Sequence, residues 1–269
     1  MNDSMNKKNE ARILHLYYDL MNLYGDWANV AALVRALNTR GAGSAVGYKS
    51  VGDEVNFDEY DFVYIGSGTE RSQRACMRDM ERHRQALTGR INAGMHVLAT
   101  GNSHELFGFA VTEPGGEKYD ALGLLDFETV QLDSRVTGDC VCKVPERLKL
   151  AESVPDRLIG FINRAGGGQS GSVERPFVTE LGPGACEKTV ANDAPEGKEG
   201  ITYKNLLGTY MTGPVLVRNP PLLKYFTDML CAEPCGDYDG DDPFFGYQEK
   251  AYWMALTELS ARIGKRAAT

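Results

Sequence analysis

The sequence predicts an α/β domain: a mostly parallel central sheet with helices on both faces, plus antiparallel additions. Three observations carry this. Short apolar runs alternate with helix-patterned stretches about every thirty residues through the first hundred positions. Two of those runs end in glycine-containing turns, Gly66-Ser67-Gly68-Thr69 and Gly101-Asn102-Ser103, where the chain reverses into a following helix. Beyond Gly108 the texture changes to short runs separated by Gly, Pro and Asp, the pattern of antiparallel strands joined by turns. Parallel strands joined through helices take right-handed crossovers, which places a ligand site at their carboxyl ends.

Residues 1–11 are polar and mixed in charge and read as a loose N-terminus. Ala11 to Tyr18 is a partly alternating apolar run, a first strand, with His15 inside it as a packed core residue. After the loop Asp19 to Asp26, the residues Trp27, Val30, Ala31, Val34 and Leu37 recur at helical spacing, with Asp26 as N-cap. Gly41 and Gly43 close that helix. Ser44 to Val51 is a second strand and Asp61 to Ile65 a third. Glu70 to Asn92 holds sparse apolar positions (Ala75, Met77, Met80, Leu87, Ile91) among many charges, which predicts one long surface helix. His96 to Gly108 then reads as strand, sharp turn and helix start. Such an elbow lifts one side chain above the sheet edge, and in hydrolases it carries the nucleophile.

Leu122 to Leu132, Asp139 to Val144, Leu148 to Val154 and Leu158 to Asn163 are the expected antiparallel strands. Residues 165–200 are glycine-rich and predict mobile loops; Thr202 to Val217 returns to order. After Pro220, Leu222 to Leu230 is helical, Cys231 to Gly246 an acidic loop, and Gln248 to Ile263 a terminal helix. Its Ala251, Tyr252, Ala255, Leu259 and Ile263 share a face that packs on the domain or on a partner. The layout is thus residues 1–11, a domain over 12–230, a loop over 231–246 and a helix over 247–269.

A net charge of -8 argues against nucleic acid or an anionic membrane surface, both of which need a basic face. Small molecules and proteins are the expected partners. No apolar run approaches the ~20 residues that span a bilayer, and the chain reads as cytoplasmic. Six scattered cysteines in 269 residues read as reduced thiols. Cys140-x-Cys142 and Cys231-x-x-x-Cys235 depart from zinc-site spacing, and Asp237, Asp239, Asp241 and Asp242 lack the distal glutamate of a calcium loop. No metal and no cofactor are expected.

Five segments in register resemble the class I glutamine amidotransferases of the CobB/CobQ type, in particular the GatD kind that works with a Mur-ligase-like MurT protein. They are Tyr18 to Asp26 with Asn29; Asp61 to Gly68 with Glu70 and Arg71; Val97 to Gly108; Gly160-Phe161-Ile162-Asn163; and Gly208 to Pro214 leading to Arg218-Asn219-Pro220. The resemblance spans roughly residues 12 to 230. It implies a flavodoxin-like fold, cleavage of the glutamine side-chain amide by a cysteine with a histidine base and a glycine-turn oxyanion hole, and delivery of ammonia to a synthetase that amidates the glutamate of lipid II.

The chain departs from this pattern at both reacting positions. Gly101-Asn102-Ser103 stands where the family has Cys-Gly-Gly, and Thr212 stands where it has His. The four histidines are His15, His83, His96 and His104, so none follows the elbow to serve as a late base. With two triad members gone, glutaminase activity is not expected. Two weaker pairs remain: Ser103 with His104, adjacent residues pointing about 100° apart, and Cys76 with His83, read as two surface residues on a charged helix. The leading expectation is a catalytically silent amidotransferase-like subunit that binds a MurT-like ligase, in cell-wall precursor metabolism, and retains a pocket for glutamine or a related small molecule lined by Gly68, Thr69, Arg71, Gly101, Asn102 and Ser103. The alternatives are an amidotransferase or hydrolase of altered chemistry using Ser103, His104, Glu105 or Arg71, and a purely structural interaction protein.

Overall fold

Strands with two apolar faces need a helical layer on each side, and the first half of the chain supplies both. The computed structural model describes residues 10–146, 156–183, 197–231 and 242–266. The strands are β1 (Glu10–Leu16), β2 (Gly43–Lys49), β3 (Phe62–Ile65), β4 (His96–Thr100), β5 (Ala110–Thr112), β6 (Lys118–Asp120), β7 (Glu128–Lys143), β8 (Arg157–Ser170), β9 (Phe177–Leu181), β10 (Lys198–Glu199), β11 (Ile201–Tyr203), β12 (Leu206–Thr209) and β13 (Met211–Thr212). The helices are α1 (Trp27–Thr39), α2 (Glu70–Met80), α3 (Arg84–Asn92), α4 (Val215–Arg218), α5 (Pro220–Leu230) and α6 (Pro243–Arg266).

The main sheet runs β2-β1-β3-β4-β12-β11, parallel from β2 to β12, with β11 antiparallel at the edge. This is the flavodoxin-like order, in which the chain leaves β1 in opposite directions and opens a crevice at the carboxyl ends of β1 and β3. Alternate residues serve opposite cores. Ile13, Phe62, Tyr64 and Leu98 pack against α1, α4 and α5, whereas Leu14, Leu16, Val63, Ile65, Val97 and Ala99 pack against α2 and α3.

A second, mostly antiparallel sheet contains β10-β9-β7-β5-β6, with β8 joining β7 to β13. On it lies α6, whose Tyr252, Leu256 and Leu259 meet Val141, Ile159 and Leu181. Each such side chain stabilises the docking by roughly 1.5–3 kcal/mol.

Several sequence expectations are corrected. The helix expected over 70–92 breaks at a 3-10 turn, Glu81–His83. Asp79 there turns inward and accepts hydrogen bonds from the Tyr17 hydroxyl (3.0 Å), the Gly52 amide (2.9 Å) and Arg82 Nε (2.9 Å), while His83 packs edge-on against Phe57. Cys76 and His83 are therefore buried, not on the surface. The segment 165–200 is not all loop, since β8 continues to Ser170 and β9 and β10 follow. The acidic loop ends earlier than expected: α6 starts at Pro243, and Asp242 binds Arg35 through both carboxylate oxygens (2.6 and 2.7 Å). Cys231 is disulfide-bonded, which corrects the reading of six reduced thiols, while Cys76, Cys140 and Cys142 are free and buried. Asp237, Asp239, Asp241 and the run Leu148 to Val154 lie outside the described residues.

Among the described residues no helix is long and apolar enough to cross a membrane, and no group of three or more His, Cys, Asp or Glu is placed to hold a metal ion.

Candidate functional site

The turns after β3 and β4 meet at the sheet edge because little but backbone separates them. A Cβ on Gly66 would strike the Met21 carbonyl and the Asp26 side chain, and Gly101 takes a left-handed φ of +62°. Gly66 has no room for a side chain, and a side chain at 101 would be strained. Beneath them lies a buried polar network. Asp26 precedes α1 but does not cap it. Its Oδ1 instead accepts from the Tyr64 hydroxyl and from Thr100 Oγ1 (3.2 Å each), and its Oδ2 accepts from the Tyr24 amide at 3.1 Å. Asn29 donates to the Tyr64 hydroxyl (2.7 Å) and accepts from the Leu216 amide (2.7 Å), which carries the network across to α4. Burial raises the Asp26 carboxyl above the usual carboxylate range, against the pull of these hydrogen bonds.

At the elbow each expected residue has a definite place. Gly101 has no side chain, and the space that one would enter is filled by the Ser67 hydroxyl, which donates to the Thr100 carbonyl (3.3 Å). Asn102 reaches across to Gly68: its Oδ1 accepts from the Gly68 amide and its Nδ2 donates to the Gly68 carbonyl, both at 3.0 Å. The Ser103 hydroxyl lies buried within 2.9 Å of the Ile65 and Thr100 carbonyls. Thr69 caps α2, accepting from the Ser72 amide (3.1 Å), and Arg71 is exposed one residue into that helix. Thr212 Oγ1 donates to the Phe161 carbonyl at 2.9 Å.

His104 is fully buried. Its Nδ1 donates to the Gly101 carbonyl (2.8 Å), its ring packs edge-on against Tyr210 at 4.1 Å, and burial pushes its pKa down to about 3. It is a core imidazole bonded to the Gly101 carbonyl, and the Ser103 hydroxyl is itself committed to the Ile65 and Thr100 carbonyls. His15 is likewise buried, between the rings of Tyr18, Tyr48 and Tyr64, and pushed down to about 4.

Behind the elbow the structure assembles a cluster that the sequence did not announce. Glu105 accepts from the Tyr210 hydroxyl and from Gln73 Nε2, both at 2.6 Å. Glu199 accepts from Thr209 Oγ1 (2.8 Å) and from the Tyr210 amide, and Arg164 lies 4.8 Å over the Tyr210 ring. Burial raises both carboxyls, that of Glu199 to about 7. Arg164 and Glu199 come from stretches whose local pattern is glycine or turn, so nothing in their neighbours marked them. Gln73 carried a faint signal as a polar residue on the inward side of α2.

Among the described residues the geometry brings no nucleophile to a base. Ser67, Ser103 and Thr212 are bonded to carbonyls, and the Cys76 thiol is buried and pushed up to about 12. What the arrangement does hold is a matched pair of backbone groups at Gly68, facing a side-chain carboxamide.

Residues 12–220 match the family described as the CobB/CobQ-like glutamine amidotransferase domain. The chain is 30% identical over 222 residues to the lipid II isoglutaminyl synthase (glutamine-hydrolyzing) subunit GatD of Staphylococcus aureus, covering 82% of this chain and 85% of that protein. It is 29% identical over 216 residues to the subunit of the same name from Streptococcus pneumoniae, covering 79% and 77%. The crystal structure of a glutamine amidotransferase from Thermotoga maritima superposes with a TM-score of 0.50 at 14% identity, over 95% of this chain and 97% of that one, a likeness of fold.

Proposed function

Since the chain belongs to the CobB/CobQ-like glutamine amidotransferase family, we propose that it is a GatD-type subunit of a lipid II-amidating complex whose own glutaminase site is silent. Its partner in this reading is a Mur-ligase-like protein of the MurT type, in cytoplasmic cell-wall precursor metabolism. The amidotransferase-like unit spans residues 12–230, and the C-terminal helix is an appendage docked on its second sheet. Gly101 stands at the nucleophile position and Thr212 at that of the histidine base.

One observation carries the reading: the volume beside Gly101 belongs to the Ser67 hydroxyl, so the elbow has neither a thiol nor room for one in this conformation. Removing a member of a catalytic triad costs several orders of magnitude in rate, and here a nucleophile and a base are both absent. Fold and partner-facing surfaces are separable from that loss, because function resides in sites set on folds. The Ser103 and His104 alternative gains no support from a hydroxyl and an imidazole that are each buried and bonded to backbone.

The experiment is a glutaminase assay on the purified protein, alone and with a Mur-ligase-like protein that copurifies from its host. Glutamate and ammonia are expected to stay at the buffer level in both, while the ligase-like protein is retained on the tagged chain. Sustained release of both products would overturn the silent-site reading.

A further inference from the structure

We propose that the Asn102 side chain is a built-in carboxamide that occupies the amide-binding position of the elbow crevice, where an external primary carboxamide would otherwise sit. The inference rests on the reading of the crevice as a former amidotransferase site. Only Asn and Gln side chains carry a primary amide, one acceptor oxygen and one donor nitrogen in a plane. Asn102 uses both ends on one residue, accepting from the Gly68 amide and donating to the Gly68 carbonyl at 3.0 Å each. That two-point contact is how a backbone glycine would hold the amide of a small ligand.

The host side is constrained in the same sense. A Cβ on Gly68 would strike the Met21 sulfur, so the buried Met21 side chain would have to shift before residue 68 could carry a side chain. The backbone that carries the guest is fixed from behind, because Gln73 Nε2 donates to the main-chain carbonyl of Asn102 at 2.8 Å. Asn102 is half-buried whereas Gly68 is buried, so the Asn102 side chain is the part of this contact that meets solvent. Gly101 and the Ser67 hydroxyl lie beside it, at the elbow itself. A tethered group acts at an effective concentration in the millimolar range or above, so a free carboxamide competes poorly while Asn102 is present.

The test replaces the tethered amide and offers a free one. Asn102→Ala and the unmodified protein are titrated by calorimetry with L-glutamine and acetamide, with L-glutamate and acetate as controls. The expected result is saturable binding of both amides to Asn102→Ala, at least about tenfold tighter than to the unmodified protein, with no binding of the acids. A folded Asn102→Ala that binds no amide, or binds amides and acids alike, overturns the proposal. If the variant fails to fold, the Asn102 side-chain resonance of the unmodified protein is followed by NMR during titration with concentrated acetamide. It should move with acetamide and not with acetate, and a resonance indifferent to both overturns the proposal. Glutaminase activity in the unmodified protein would instead strike the silent-site reading, so the two failures are distinguishable.

Discussion

Gly101 and Ser67 share one volume: a Cβ on residue 101 would overlap the Ser67 hydroxyl, so only one of the two positions carries a side chain in this conformation. Gly101→Cys alone is therefore expected to lose about 1–3 kcal/mol to overpacking, on top of the cost of a side chain at φ +62°. Adding Ser67→Gly should recover part of it. A double-mutant cycle by urea unfolding should return a favourable coupling of about 0.5–3 kcal/mol, and strict additivity would show that the two side chains do not compete.

Tyr64→Phe tests the buried network that holds the elbow. It removes the hydroxyl shared by Asp26, Asn29 and Thr100 and leaves their groups short of a partner. A loss of about 1–3 kcal/mol is expected. Because Asn29 also accepts from the Leu216 amide, hydrogen exchange at Leu216 should rise with it.

The buried histidines give the protein an acid-sensitive side. His104 and His15 lie at about 3 and about 4 when folded and near 6.5 when unfolded, so below pH 6.5 only the unfolded chain takes up their protons. Stability falls with pH through that window, by about 1.4 kcal/mol per pH unit for each group. Glu199 has the opposite sign: held at about 7 against an ordinary 4.5, it binds its proton first in the folded state and adds stability as pH falls from 7 to 4.5. His104→Phe should therefore lose less stability between pH 7 and 5 than the unmodified protein, and Glu199→Gln should lose more. Urea midpoints at the two pH values check both.

Leu256→Ala should loosen α6. Leu256 is buried against Val141, Ile159 and Leu181, and its truncation is expected to cost about 2–3 kcal/mol of docking. Hydrogen exchange at the α6 amides should then accelerate at least about tenfold, with the amides of β1, β3 and β4 unchanged.

How far the sequence could be read depends on whether a residue's role is local. The first four strands and α1 were legible because their apolar spacing is the cause of their burial. The break between α2 and α3 was not, because Asp79 and His83 look like surface residues until Tyr17, Gly52 and Phe57 arrive from elsewhere in the chain. The glycines of β8 read as loop for the same reason. Side chains at Gly166 and Gly167 would collide with Glu105, Tyr210 and Leu132, so they are glycine to admit neighbours rather than to turn. At the elbow, the missing thiol and imidazole could be read from Gly101 and Thr212. That Ser67 fills the gap and Asn102 spans the crevice could not, since both depend on the approach of two turns 34 residues apart.

Electrophiles that tag thiolates find a cysteine by its exposure and its acidity. Cys76, Cys140 and Cys142 are all buried, and burial holds the Cys76 thiol up at about 12. A survey that counts amidotransferases by thiol labelling would pass over these sites and the thiol-free elbow alike. A label placed elsewhere on the chain would report on neither the core nor the elbow, so detection of the fold rests on mass or antibody rather than on reactivity at these positions.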